Sequence, residues 1–497
     1  MKYTMSNEIR HRKIRIMHSA EEPAVIVVGA GPAGLTAAIA LAHHGVRTLV
    51  VERRTALSPF PRATGINVRT MELMRAWGLE DAVRSGAIDV SPTGWIGRTL
   101  ASAEGIETPM GFPSAEVAAS LSPTTGVVAP QDHLEPVLME HLLSLPGTSV
   151  RLGTEVIALD QEGDGVTVTL REGDETSILR AAYVIGADGA HSAVRRHAGI
   201  TMEGPGDLGA YLAVLFRAPL ADVVGDRRHG LYMLTRQGPP WVFLPTDRHD
   251  RWVFSMTWDP TRETRAEYPP ERLVELIRAG AGVPDLDPEI VWTGDFTFAA
   301  QIADRYREGR VFLIGDAAHR MTPRGAAGMN TAIHDGYDLG WKLGWVLRRW
   351  AGESLLESYE AERRPVGLRN MQRSAIAADQ RDVSLDYLED IADRIPHSWL
   401  PDRRTSTLDL LGDGLTLLAG QQAHVPVGLS DAIPVAVHVI DPATADVLQV
   451  GADGLVLVRP DGRTVARWAA SADASVISAA VSAAVGGTTH EDLTRAA

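Results

Sequence analysis

Along the chain, β-branched runs alternate with segments whose apolar residues recur at helical spacing. The run Val25 to Val28 enters glycines at 29, 31 and 34, after which Leu35, Ala38, Ile39, Leu41 and Ala42 form one helical face. Gly45 is placed to stop that helix, and RTLVVE (47–52) reads as a second strand. The pattern therefore predicts strand, helix, strand over 24–52. Two later segments repeat a strand ending in glycine and aspartate: AAYVIGADGAHSAVRRHAGI at 181–200 and RVFLIGDAAH at 310–319. Beyond the second, Ile333, Tyr337, Leu343, Val346, Leu347 and Trp350 mark a mostly buried helix. Between them, PPWVFLPTDRHDRWVFSMTW (239–258) has two strand-like runs around the polar turn TDRHD, which predicts a hairpin in a sheet-rich stretch over 201–295. Ser354 followed by Glu357 has the pattern of a capping box, and ASADASVISAAVSAAVG (470–486) reads as the last helix before a frayed tail.

Composition narrows the class without changing this picture. With 497 residues, 45% hydrophobic and 22% charged, the chain is an ordinary globular protein of more than one domain. A net charge of −15 argues against a dedicated nucleic-acid binder, which needs clustered cations. There are no cysteines, which removes disulfides, thiolate nucleophiles and CxxC redox chemistry and suits a reducing cytoplasm. No apolar run approaches the roughly 20 residues that span a bilayer. The basic opening, 1–20, lacks the apolar stretch of a signal peptide and reads as a disordered extension, with Met5 or Met17 as alternative starts.

The glycines carry the chemistry. In the first motif Gly29 permits a tight turn, Gly31 lets backbone approach a pyrophosphate, and Gly34 lets helix pack on strand, with Pro32 and Ala33 opening the helix between them. The helix start offers free N–H groups to the anion. Glu52, at the end of the second strand, can accept from both ribose hydroxyls, favouring FAD or NAD over NADP; Arg53 and Arg54 are what a 2′-phosphate would want. Which dinucleotide binds stays open at this motif. Asp316 closes a strand at the end where open α/β sheets hold ligands, and its carboxylate suits the hydroxyls of a flavin ribityl chain. After Pro323, the small residues 325–328 and then Met329 and Asn330 bring a helix start, with Gly328, towards a flat electron-rich ring. Together these segments describe a flavin cradle.

At this point the chain resembles the single-component, flavin-dependent aromatic hydroxylases of the p-hydroxybenzoate hydroxylase type, most closely the branch acting on polyketide antibiotics and phenols. The resemblance spans residues 22–470. It rests on GAGPAGL (29–35), PRATGINVRTMELMRAWGLE (61–80), GADGAHSAVRR (186–196), GDAAHRMTPRGAAGMN (315–330), YEAERRP (359–365) and a tail with STLDLLGDGLTLLAG (406–420) and LVRPDG (457–462). It implies an α/β chain: a Rossmann-like FAD-binding domain in two parts (21–200 and 296–390), an inserted β-sheet substrate domain (201–295) and a thioredoxin-like C-terminal domain (396–497). Without cysteine, that last domain is left a packing or subunit-contact role, as in a homodimer. The resemblance also implies that Arg62 binds the FAD phosphate and ribose region and that Gln131 joins it. Val156 would meet adenine through its backbone, Asp188 with Gly189 would serve both FAD and the nicotinamide cofactor, and Asp316 would meet the ribityl chain. Tyr232, Trp241, Phe243, Phe254, Phe296 and Phe298 are the candidate lining of an aromatic substrate site, each with a core position as the alternative.

The implied reaction is reduction of FAD by NADPH or NADH, which binds transiently without a fold of its own, and oxygen transfer from a flavin C4a-hydroperoxide to an aromatic ring. Baeyer–Villiger insertion or epoxidation by the same intermediate, and a non-enzymatic FAD scaffold, are the alternatives. The missing cysteines exclude a flavin disulfide reductase, and no WxWxIP segment suggests a halogenase. His319 has no second ligand at metal spacing, so no metal is expected. No residue declares itself as a catalytic base. Two departures from the family pattern stand at the cradle: Ala326 where two adjacent glycines are common, and Arg324 where a small neutral residue is frequent.

Overall fold

The protein is described from a computed structural model over residues 22–236, 238–376, 386–426, 428–430 and 433–486. The extension at 1–20 and the tail at 487–497 lie outside the described residues. Among the described residues, no helix is long and apolar enough to cross a membrane.

Six strands form the central sheet, in the order Arg307–Glu308, Val311–Leu313, Tyr183–Gly186, Val25–Val28, Thr48–Glu52, Thr148–Leu152. All pair in parallel except the outermost, Arg307–Glu308. A parallel sheet covered on both faces needs strands that are apolar throughout, which is why Val25–Val28 is buried along its whole length. Register aligns Val28 with Gly186, and Gly186 with Leu313. The three glycine-ended strands legible in the sequence are thus neighbours, and their carboxyl ends open on one edge.

The helix Pro32–His43 lies against the long helix Ala327–Leu347 at backbone distance. A methyl on Gly336 would sit 2.4 Å from the Ala33 carbonyl oxygen, and one on Gly340 would sit 2.5 Å from the Ala40 methyl. One turn on, Gly344 makes room for the His44 ring. His44 is buried, with its ring edge-on to Trp350 at 5.8 Å. Burial holds its pKa down at about 4; His43 and Arg348 add to this, and Asp413 opposes it. The folded state therefore keeps His44 neutral while the unfolded chain takes up a proton below about pH 6.5. Stability is complete above that value and falls as pH drops from 6.5 towards 4. The expected loss at pH 5 is on the order of 2 kcal/mol. Urea unfolding at pH 7 and pH 5 should show that difference, and H44Q should reduce it.

The second sheet has seven strands, ordered Glu289–Thr297, Ala210–Arg217, Arg251–Trp258, Gly238–Pro245, His229–Arg236, Ser91–Gly97, Gly105–Pro109. The expected hairpin is present: the Asp247 carboxylate accepts from the N–H groups of His249, Asp250 and Arg251 at 2.9–3.0 Å, closing the turn. The sheet is larger than an insertion over 201–295. Strand Ser91–Gly97, from the first cofactor segment, pairs in parallel with His229–Arg236, a long-range pairing that leaves no local signature. Helix Pro270–Ala281 covers one face through Leu273, Ile277 and Ala281.

The C-terminal unit has four strands, ordered Val435–Val439, Leu415–Ala419, Leu455–Val458, Thr464–Trp468, with helices Pro442–Val447 and Ala474–Val485. The first two strands are parallel and the others antiparallel. Trp341 and Trp345 of the long helix pack into the core of this unit, and the Trp345 indole N–H donates to the Asp413 carbonyl at 2.8 Å. Beside them lies a buried ionic cluster. Lys342 Nζ meets Asp338 at 2.8 Å and Glu362 at 2.9 Å, while Arg459 grips Glu362 at 2.7 and 2.8 Å and also pairs with Asp461. The expected capping box is absent. Ser354 lies in a 3-10 turn, Glu353–Leu356, and its hydroxyl donates to the Gly486 carbonyl at 2.6 Å, tying this turn to the C-terminal unit instead.

Candidate active site

The three glycine-ended strands build one cleft. Gly29 has φ +110, and a methyl there would lie 2.3 Å from the Ala187 carbonyl oxygen. One on Gly34 would lie 2.0 Å from the Gly29 carbonyl oxygen. These two glycines are packed solid. On Gly31, between them, a methyl would meet nothing within 4 Å. Gly31 caps the helix, followed by Pro32 and the buried Ala33, so the open side of the turn adjoins the unpaired N–H groups of the first helical turn. That is the shape a pyrophosphate requires. At the neighbouring strand, Glu52 is fixed by the Ala30 N–H on one carboxylate oxygen and the Arg54 N–H on the other, both at 3.0 Å, which leaves lone pairs for ribose hydroxyls. Arg53 is exposed beside it.

Arg62 and Asp316 lie close enough to feel each other's charge. Solvent reaches both, yet protein surrounds both. Burial pushes the Asp316 carboxyl up, against the opposing pull of His319, Arg62 and Arg320. Burial and Arg54 lower Arg62, while Glu135, Asp316 and Glu52 pull the other way. Gln131 is committed to Glu135 through a 2.7 Å hydrogen bond, so it acts on the cleft by steadying the acid beside Arg62. Val156 is buried where strand Thr154–Glu162 slips register against its neighbour, which leaves backbone off the ladder there. The Asp188 carboxylate accepts from Ser192 Oγ and from the N–H groups of Ala193 and Val194, capping the short helix Ala193–His197. Gly189, at φ +80 with nothing within 4 Å of an added methyl, is the open element of that motif.

The long helix begins at Ala327, after the exposed Pro323. Its first-turn N–H groups, at Ala327, Gly328 and half-buried Met329, have no partner within the helix. The nearest atom to a methyl on Gly328 would be 4.0 Å away. The side chain of Asn330, by contrast, is fully used: it accepts from the Asn67 N–H (3.0 Å) and Thr70 Oγ1 (2.8 Å) and donates to the carbonyls of Gly65 (3.0 Å) and Ala326 (2.9 Å). It ties the helix start to the loop before Asn67. Ala326 sits at φ 49, ψ 25, the left-handed region that favours glycine. A326G is expected to stabilise the protein by about 0.5 kcal/mol, the relieved strain being partly offset by a more flexible unfolded chain. Thermal unfolding with and without FAD would measure it.

The aromatic candidates divide by face. Register sets Tyr232 opposite Phe243, Phe243 opposite Phe254, and Phe254 opposite Val214, so all lie on one face. Tyr232, Phe243 and Phe254 are completely buried under helix Pro270–Ala281, and Trp241 packs with them. These four belong to the core and do not line the cleft. On the opposite face Phe296 pairs with Tyr211, and the Tyr211 ring stacks on Phe296 (5.4 Å) and Phe298 (3.9 Å). Trp292, on that same face, meets Phe60 at 4.4 Å, two residues before Arg62. This face is therefore the one turned to the cofactor domain. Tyr211, Trp292 and Phe60 escaped the sequence reading. The alternation along AYLAVLFR (210–217), with Tyr211 out of phase with Leu212, Val214 and Phe216, was the available signal.

Beneath the cleft, Asp335 is completely buried. Its Oδ2 accepts from His319 Nε2 (2.6 Å) and the Gly315 N–H (3.2 Å), and its Oδ1 from Arg363 Nε (2.8 Å). Burial pushes this carboxyl up, but Arg363 and His319 outweigh it and hold it down. Of the two acids in HDGYD (334–338), Asp335 thus reaches distant partners, whereas Asp338 bonds one turn along its own helix, to Lys342.

Comparison with known proteins agrees with this geometry. Residues 22–374 match the family described as FAD binding domain. Aklavinone 12-hydroxylase RdmE of Streptomyces purpurascens is 36% identical, over 91% of this chain and 96% of that protein. Tetracenomycin A2 monooxygenase-dioxygenase of Streptomyces glaucescens is 34% identical, over 89% and 93%. A crystal structure of aklavinone-11 hydroxylase with FAD and aklavinone superposes with a TM-score of 0.86 at 34% identity, covering 94% of this chain and 99% of that one. On these matches, over a fold with an open glycine turn beside a helix start, the chain belongs to the FAD-binding family of aromatic hydroxylases and is an FAD-dependent monooxygenase.

Proposed function

We propose that the enzyme hydroxylates a flat, multi-ring aromatic molecule of the polyketide class, with O₂ as oxygen donor and NADPH or NADH as reductant. The observation that carries this is the aromatic face of Tyr211, Phe296 and Phe298, on the side of the sheet where Trp292 meets Phe60 of the cofactor domain. Full-length relatives named for aklavinone and tetracenomycin support the substrate class.

Bound FAD supplies the oxygen-transfer chemistry. The protein's part is to hold and orient. The open turn at Gly31 and the helix start behind it receive the pyrophosphate, Glu52 the adenosine ribose, and Asp316 with Arg62 the ribityl and phosphate region. The N–H groups of Ala327, Gly328 and Met329 would donate to an electron-rich ring edge, where a helix dipole stabilises negative charge. The Tyr211 face orients an aromatic substrate by stacking and keeps water from the ring. The C-terminal unit is read as thioredoxin-like, on the support of its strand order and its one parallel pair. A cytoplasmic location is part of this reading, and a chain without cysteine suits that reducing compartment.

The test is substrate-stimulated NADPH and NADH oxidation with aromatic polyketides and simple phenols, followed by product mass and connectivity. A 16-dalton gain on an aromatic carbon is expected from a multi-ring substrate. Ring expansion would indicate Baeyer–Villiger insertion, and turnover confined to single-ring phenols would overturn the substrate class.

A further inference from the structure

We propose that His319 is a positioning residue for the flavin: through Asp335 it locks the turn that presents Asp316 to the cofactor. The turn Gly315–Ala317 begins in the left-handed region, at φ +58. A methyl on Gly315 would meet the methyls of Ala332 and Ala33 at 3.0 and 3.1 Å, so the turn is hemmed in on that side. The Ala318 N–H closes it onto the Gly315 carbonyl at 2.8 Å. On its inner side a single carboxylate oxygen, Asp335 Oδ2, holds both ends: the Gly315 N–H at 3.2 Å and His319 Nε2 at 2.6 Å. A carboxylate can only accept, so Nε2 carries the proton.

Asp335 is also part of the long helix whose amino end, on the proposed reading, would meet the ring system. One carboxylate therefore fixes Asp316 relative to that helix start, and the two grips on the flavin cannot drift apart while it is held. Arg363 steadies its other oxygen at 2.8 Å. His319 and Asp335 are both completely buried. Neither can touch the cofactor, so any effect on it passes through the turn. This inference rests on the reading of Asp316 as a cofactor contact, and the experiment separates the two.

FAD affinity, by fluorescence titration of the deflavinated protein, and the visible absorption of the bound flavin are measured for H319L, H319Q, D316A and Y359F. H319L keeps volume but removes the donor; H319Q restores an amide donor. Y359F removes an unrelated buried hydrogen bond nearby, from the Tyr359 hydroxyl to the Leu313 carbonyl. H319L is expected to weaken FAD binding about tenfold and shift the flavin bands, as loss of one hydrogen bond to a charged group would. H319Q should recover most of this, and Y359F should lower the melting temperature with affinity unchanged. If H319L gives no folded protein, H319N, whose amide donor stands one carbon short of the glutamine's, decides by the same readouts. Unchanged affinity and spectrum in H319L, or equal losses in H319L and Y359F, overturn the proposal. Wild-type affinity in D316A would instead sink the reading of Asp316.

Discussion

G31A is expected to fold and unfold like the wild type while losing FAD affinity about tenfold to a hundredfold, whereas G34A should yield no folded protein. Gly31 has φ −79 and ψ −179, extended backbone open to any residue, and its added methyl meets no protein atom within 4 Å. The methyl costs the fold nothing, but it would occupy the space through which, on the proposed reading, a pyrophosphate reaches the helix start. Losing a charge-assisted hydrogen bond there removes about 1.5–3 kcal/mol of binding. At Gly34 the methyl would stand 2.0 Å from the Gly29 carbonyl oxygen and 3.2 Å from the Ala187 methyl, so the helix must leave the strand it packs on. Thermal unfolding and FAD titration of both variants check the contrast. Wild-type affinity in G31A would move the pyrophosphate elsewhere.

K342M should destabilise the protein by about 3–5 kcal/mol, the usual cost of removing one partner from a buried ion pair. Lys342 is completely buried, and its ammonium is shared by Asp338 and Glu362. Burial pushes Asp338 up even with Lys342 beside it, so in the variant this carboxyl should take up a proton. Glu362 differs: burial pushes it up, but Lys342, Arg459 and Arg463 outweigh that and hold it far below the usual carboxylate range. Its contribution is complete above the unfolded carboxylate value, about 4.3, and is lost as pH falls further. Urea unfolding followed by tryptophan fluorescence should report the change directly, because Trp341 and Trp345 flank the cluster. A loss under 1 kcal/mol would mean that the arginines alone sustain it.

The sequence made the cofactor half of the cleft legible because its signals are local. Gly29, Gly31 and Gly34 stand close together in sequence, and Asp188 and Asp316 follow within three residues of their strands' ends. Parallel register then brings the three ends together. The substrate half was less legible, because a strand residue's face is decided by what covers the sheet. Tyr232, Phe243 and Phe254 are as aromatic as Phe296 and Phe298, and only the helix Pro270–Ala281 above them makes them core. His319, Asp335 and Arg363 meet only through tertiary folding, and no spacing announces a link between residues 319 and 363. The stripe Gly336, Gly340, Gly344 was visible at helical spacing, yet its meaning required the partner helix to be known.

Strand Ser91–Gly97 bonds in parallel to His229–Arg236 and antiparallel to Gly105–Pro109. The lobe that would select the substrate is consequently sewn from two distant stretches of chain and cannot be lifted out as one cassette. A chimera that transplants 201–297 alone from a relative would set a foreign strand beside the native 91–109 hairpin and mismatch the seam. Exchanging both stretches together is the route by which ring preference can be moved between such enzymes.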